Sequence, residues 1–180
     1  RSSALPRWLG PLSGDTWYDV RHAEDQKLLV YETAPLESDL EVTGYPVVKL
    51  NLSSTHTDGA VIVYLEDVAD YGNIRYVTEG IIRVIHRKVT EDPARWDRPT
   101  PYHSFRAADA QPLVPGEVAE ISFGLHPTSV LFRAGHRIRI AIAGHDASAF
   151  RRVPATGTPV LSVQRNANHP SWIELPVVPR

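Results

Sequence analysis

From Pro112 to Asp146 the chain reads PLVPGEVAEISFGLHPTSVLFRAGHRIRIAIAGHD, and its apolar residues recur at every second position. Ala119, Ile121, Phe123 and Leu125 share one parity while Glu120 and Ser122 take the other. Ile138, Ile140 and Ile142 alternate in the same way with Arg137 and Arg139. Successive side chains of a strand point to opposite faces, so this period builds a half-buried sheet, whereas a helix would need apolar residues three and four apart. Between the two runs, Arg133-Ala134-Gly135 places a residue without Cβ where the chain must reverse, and positive φ is cheap there. The expectation is two strands joined by a turn at Gly135.

The same pattern extends through the rest of the chain. Lys27 to Thr33 is a first strand, and Pro46 to Ser53 follows with Val48, Leu50 and Leu52 opposed to Lys49 and Asn51. Ala60 to Val68 is almost continuously apolar, as expected of a central strand covered on both faces, with Asp67 to Asn73 supplying its return turn. Thr78 to Lys88 is read as a strand in which Ile82 and Val84 oppose Arg83, and His86 as a hydrogen-bonded sheet residue. Residues 89–111 break the period, with room for at most one helical turn between Asp92-Pro93 and Arg98-Pro99. Short strands close the chain at Pro159 to Gln164 and Ser171 to Val178. Fifteen prolines and eleven glycines punctuate these runs, which favours an all-β sandwich of about eight or nine strands over a helical or alternating β-α plan. A jelly-roll-like arrangement in two sheets accommodates that number.

The 180 residues bury roughly 70% of the surface their unfolded form exposes, enough for one self-sufficient core. Residues 1–26 show no sustained period and read as a tether, with 27–180 as the folded domain. A chain that opens at Arg1 without an initiator is expected to be a piece of a longer polypeptide. With no cysteine, a disulfide staple, a thiolate nucleophile and a Cys-based zinc site are excluded. A net charge of -2 with acids and bases interspersed offers no basic stripe to phosphates, so no nucleic-acid partner is expected. Apolar runs such as Ala60 to Leu65 are far shorter than the roughly 20 residues that cross a bilayer as a helix, so no membrane partner is expected either. The compartment stays open, with the cytoplasm favoured over secretion.

Candidate chemistry is sparse. The strand-to-helix elbow Gly-x-Ser-x-Gly of a serine hydrolase is absent. Ser129, Asp146 and His169 occur in the hydrolase order, but with eight histidines in the chain such a trio arises by chance. The plain reading makes Ser129 a turn cap, Asp146 a strand terminator and His169 a loop residue before Pro170. His136 and His145 are separated by an odd number of positions, which puts them on opposite faces of one strand and disfavours a metal pair. The Glu66-Asp67 and Asp70 bend offers oxygens to calcium, yet three acids in a turn are ordinarily solvated. No cofactor is expected. Trp8, Trp17, Trp96 and Trp172 leave two readings open, rings that stack on sugars and rings that dock on a neighbouring domain.

Five segments carry a family likeness: TAPLESDLEVTG (Thr33 to Gly44), the following PVVKLNLSS, TEGIIRVIHR, PGEVAEISFGLHPTSVLFRAGHRIRI and HPSWIELPVV. They resemble the C-terminal domain of the X-Pro dipeptidyl-peptidase and cocaine-esterase-like hydrolases, in register from about Lys27 to Val178. The resemblance implies a jelly roll similar to galactose-binding folds, attached after an α/β-hydrolase domain that holds the serine, aspartate and histidine. This chain would then be a non-catalytic module that packs on that domain, shapes its cleft and offers surface for a homo-oligomer. None of the family's triad residues maps onto it. Thr57-Asp58-Gly59-Ala60 stands where relatives usually carry Thr-Asp-Phe, which removes a large ring from the strand entrance. By the same likeness, the segment holding Trp8, Leu9 and Trp17 would run near the substrate cleft or the domain contact. The alternatives are a stand-alone carbohydrate-binding sandwich and a small hydrolase using Ser129, Asp146 and His169.

Overall fold

In the computed structural model, the described residues are 25–91, 99–147 and 149–179. They form ten strands: β1 (Leu29–Glu32), β2 (Leu40–Gly44), β3 (Val47–Ser54), β4 (Ala60–Val68), β5 (Ile74–Arg83), β6 (Ala119–Gly124), β7 (Thr128–Phe132), β8 (Arg137–Ala143), β9 (Leu161–Gln164) and β10 (Trp172–Glu174). One layer is the antiparallel sheet β1-β8-β4-β5. The other contains β10-β3-β6, with β9 also paired to β3, and the two-stranded sheet β2-β7. The tail beyond β10 stitches these last two sheets together. Thr43 N donates to Pro176 O (3.0 Å), Val178 N donates to Glu41 O (2.9 Å), and Val42 bridges to Val177.

The alternation read from the sequence sets the inner faces. Leu50 pairs across from Ile121 and Val48 from Phe123 in the β3–β6 ladder, so apolar rows face inward together. They meet Val61, Val63, Leu65 and Ile82 of the opposite layer, with Val42 and Phe132 contributed by β2 and β7, in one buried cluster. The all-β sandwich expectation holds at this level. β4 also behaves as expected of a central strand, since it pairs with β5 on one side and β8 on the other. Its second face carries a smaller apolar cluster, in which Ile62, Tyr64, Ala141 and Ala143 are buried and Leu28, Val30, Tyr76 and Phe150 pack against them.

Four expectations need correction. The runs around Ile121 and Ile140 are not partners: β6 pairs with β3, while β8 pairs with β1 and β4 in the opposite layer. The turn does fall at Gly135, whose φ is 86°, but it joins β8 to the unexpected strand β7, which pairs with the equally unexpected β2. A period of two reveals which face is buried and says nothing about which strand lies alongside. The strand expected at Thr78 to Lys88 is β5, which begins at Ile74, runs through a register shift opposite Leu65 and Glu66, and ends at Arg83, where Val84–His86 turns into a 3-10 helix. His86 is therefore no sheet residue. Its ring lies edge-on to Phe105 at 5.5 Å, and its buried Nδ1 has no hydrogen-bond partner among the described residues. The remaining expected strands appear, each within a few residues except the last, which shrinks to Trp172–Glu174. The helical turn sought between residues 92 and 99 lies almost wholly outside the described residues, as does nearly all of the 1–26 tether.

The backbones of the two layers come close together where β5 passes β6. Thr78 Oγ1 donates to His126 O (2.9 Å), and His126 N donates to Glu79 O (2.9 Å). A Cβ built on Gly80 would stand 2.8 Å from Gly124 O and 3.0 Å from Leu125 Cα. Only a residue without a side chain passes there.

Candidate functional site

The members of the candidate trio lie on different elements, and the side chains of Ser129 and Asp146 are engaged in structural hydrogen bonds. Ser129 lies within β7, not at a turn, and its Oγ is 2.9 Å from Thr43 Oγ1 on the paired strand β2. Asp146 follows β8, where its Oδ2 accepts a 2.6 Å hydrogen bond from the hydroxyl of Tyr64 and its carbonyl accepts the Ala149 and Phe150 amides. His169 closes a turn, its N–H donating to the side chain of Asn166 at 3.0 Å. A nucleophile needs its base within hydrogen-bond reach and the base needs an orienting acid; here the serine faces a threonine and the carboxylate faces a tyrosine.

The metal candidates separate as well. His136 and His145 stand at opposite ends of β8, before Arg137 and after Ala143. His136 Nδ1 lies 2.9 Å from Asp67 Oδ1, and Arg75 donates to Asp67 Oδ2 at 3.0 Å, so this buried carboxylate is held between two basic groups. Glu66 and Asp67 are neighbours on β4 and thus point to opposite faces. Among the described residues no group of three or more His, Asp or Glu side chains converges as metal ligands do. Trp8, Leu9 and Trp17 lie outside the described residues, and so does Trp96. Trp172 is 46% exposed, with Lys49 Nζ 4.8 Å above its ring, and Lys49 also pairs with Glu120. One face of that ring is therefore already covered by a cation.

Several polar anchors were not legible in the sequence. His103 is buried and ties the 99–113 loop to the sandwich, its Nδ1 3.1 Å from Lys88 O and its Nε2 3.0 Å from Ser122 O. Asp58 receives Arg83 through both Nε and Nη2, and these hydrogen bonds raise the Arg83 guanidinium above its ordinary value. Burial pushes the Arg87 guanidinium down. Lys88 and Ser104 hydrogen-bond to Asp109 and hold its carboxyl below the usual carboxylate range. Next to Asp58, Gly59 is buried, and a Cβ there would meet Leu161 Cδ2 at 3.7 Å. The strand entrance without a large ring is thus closed by Leu161 of β9. Such long-range bonds give no local signal, since any polar residue looks alike until the fold chooses its neighbour.

These features define a class: a β-sandwich domain whose polar side chains fasten loops and strands, with no catalytic constellation among the described residues. Residues 9–173 match the family described as the X-Pro dipeptidyl-peptidase C-terminal non-catalytic domain, and the chain belongs to that family. A protein of Mycobacterium tuberculosis, named provisionally as a serine esterase, is 50% identical over 167 residues, covering 93% of this chain and 26% of that protein. The cocaine esterase of a Rhodococcus species is 27% identical over 175 residues, covering 90% of this chain and 28% of the relative. Among solved structures, a CocE/NonD family hydrolase from Staphylococcus aureus superposes with a TM-score of 0.71 at 17% identity, over 87% of this chain and 32% of that one. The chain thus spans about a quarter of the length of the curated relatives it matches.

Proposed function

We propose that this domain is the non-catalytic partner of an α/β-hydrolase domain in the same polypeptide, and that it packs on that domain and forms part of the wall of its cleft. The observation that carries the reading is the relation of 50% identity that covers 93% of this chain but only 26% of a serine esterase by name. The bonds of Ser129 to Thr43 and of Asp146 to Tyr64 support it, because neither is the serine–imidazole or imidazole–carboxylate bond on which such chemistry depends. Walls that exclude water strengthen the electrostatic stabilisation of a tetrahedral intermediate and restrict the acyl group admitted. Selectivity is the effect such a wall exerts. The finer architecture belongs to the same proposal: a jelly roll related to galactose-binding folds, supported by the two layers and the bonds of the 172–178 tail to both β3 and β2. Trp8, Leu9 and Trp17 are assigned to the cleft or the domain contact, and a homo-oligomer would use the remaining surface.

The test is direct. Incubated with an activated ester and a serine-reactive phosphonate, the chain is expected to show neither turnover nor label. Stoichiometric labelling at Ser129 would refute the reading and restore the small-hydrolase alternative.

A further inference from the structure

Between the start of β4, the end of β8 and the loop leading into β9 lies an open cleft of about 250 Å³. Ala60, Val153, Pro159 and Leu161 give it an apolar floor, while Arg152, His145 and Thr158 supply its polar side chains. The lining includes one guanidinium, one imidazole and no carboxylate.

Arg152 is held in place by its own loop. Its Nη2 donates to Gly157 O and to Thr158 Oγ1 at 3.2 Å. The loop is in turn fastened to the residue just past β3: Val160 N donates to Thr55 Oγ1 at 3.0 Å, and Thr55 N donates to Val160 O at 3.2 Å. Gly157 lies so close to His56 that a Cβ would stand 2.7 Å from its Nε2. A guanidinium carries five N–H donors, so fixing Nη2 leaves Nε–H and both Nη1–H groups without a partner among the described residues. The two ring nitrogens of His145 are likewise without one. Arg152 and His145 are both exposed at the rim of the cleft, and a guanidinium already anchored through Nη2 loses less side-chain entropy on binding an anion than an untethered arginine does.

We infer that this cleft binds a small organic carboxylate, with Arg152 and His145 each donating to the carboxylate and the aliphatic body lying on Leu161, Val153 and Pro159. The volume sits just below the roughly 300–1,000 Å³ range of drug-sized pockets, so a short acid fits and a larger ligand does not. Gly144 keeps the cleft open. A Cβ there would first meet Leu161 Cδ1 at 3.5 Å, an ordinary contact, so the position admits a side chain, and the methyl groups of a valine would compete with a ligand for the cleft. The inference stands apart from the proposed role beside a hydrolase domain, since the cleft is formed by this chain alone.

The experiment is a titration of the 180-residue chain with hexanoate, and in parallel with its uncharged amide hexanamide, followed by NMR. Hexanoate is expected to produce saturable shifts at His145, Arg152 and Leu161 in the range of about 1–10 mM, and hexanamide none. Arg152→Gln should weaken binding at least about tenfold, and Gly144→Val should abolish it while the rest of the spectrum stays native. If Arg152→Gln disturbs the fold, Gly144→Val alone decides. Equal binding of acid and amide, unsaturable shifts, or unchanged binding in Gly144→Val would each overturn the inference.

Discussion

Replacing Gly80 by alanine tests the close approach of β5 to β6. The new methyl would be placed 2.8 Å from Gly124 O, 2.8 Å from Leu125 Cδ2 and 3.0 Å from Leu125 Cα. The leucine side chain can rotate away; the two backbone atoms cannot, because Leu125 N is bonded to Pro46 O at 2.8 Å and His126 N to Glu79 O at 2.9 Å. Overpacking of this kind costs about 1–3 kcal/mol. Alanine also restricts the unfolded chain, which returns about 0.4–1 kcal/mol. Taken at mid-range, the net loss is about 1 kcal/mol, equivalent at this size to a fall in Tm of roughly 2–4 °C. Urea unfolding should show a lower midpoint with an unchanged slope, since the surface exposed on unfolding hardly changes. Gly144→Ala is the control, because its Cβ meets Leu161 Cδ1 at an ordinary 3.5 Å. If Gly80→Ala were as stable as the native chain, or more so, the two layers would not meet at β5 and β6 as described.

Other perturbations separate the core from its polar anchors. Phe132→Ala removes a ring that is fully buried in the main cluster and should cost about 3–5 kcal/mol in chemical denaturation. Tyr64→Phe keeps the buried ring but removes the donor to Asp146 (2.6 Å); a loss of about 1.5–3 kcal/mol is expected, with faster amide exchange at Ala149 and Phe150. Asp109 has its carboxyl lowered by Lys88 and Ser104, so its contribution is present above the unfolded carboxylate value of about 3.9 and is lost as pH falls through the lower folded value. The stability gap between the native chain and Asp109→Asn should accordingly close as the solution is taken from about pH 6 to strong acid, and urea midpoints at both ends measure it.

Face parity was legible residue by residue. Val48, Leu50 and Leu52, like Ile121 and Phe123, are buried as their alternation requires, and the continuous run in β4 lies in the middle of its sheet. Two strands escaped notice. β2 is only five residues long and opens on the apolar Leu40, while β7 has five residues of half-buried pattern; each is stabilised by the other across 80 or more positions of sequence rather than by local propensity. The candidate site fared differently. Negative readings of Ser129, Asp146 and His169 as structural residues followed from composition, though Ser129 is a strand residue and no turn cap. The Arg152–His145 cleft had no signature at all, because it is assembled from three separate segments.

What the sequence determined by itself is the class of fold and the inward face of most strands. Both follow from a local property, the spacing of apolar residues along an extended chain. Which strand lies beside which, where the layers touch and which basic groups share a cleft were decided only in three dimensions. Backbone hydrogen bonds are chemically the same at every residue, so pairing is chosen by how whole faces fit together, and that fit exists only once the chain has folded.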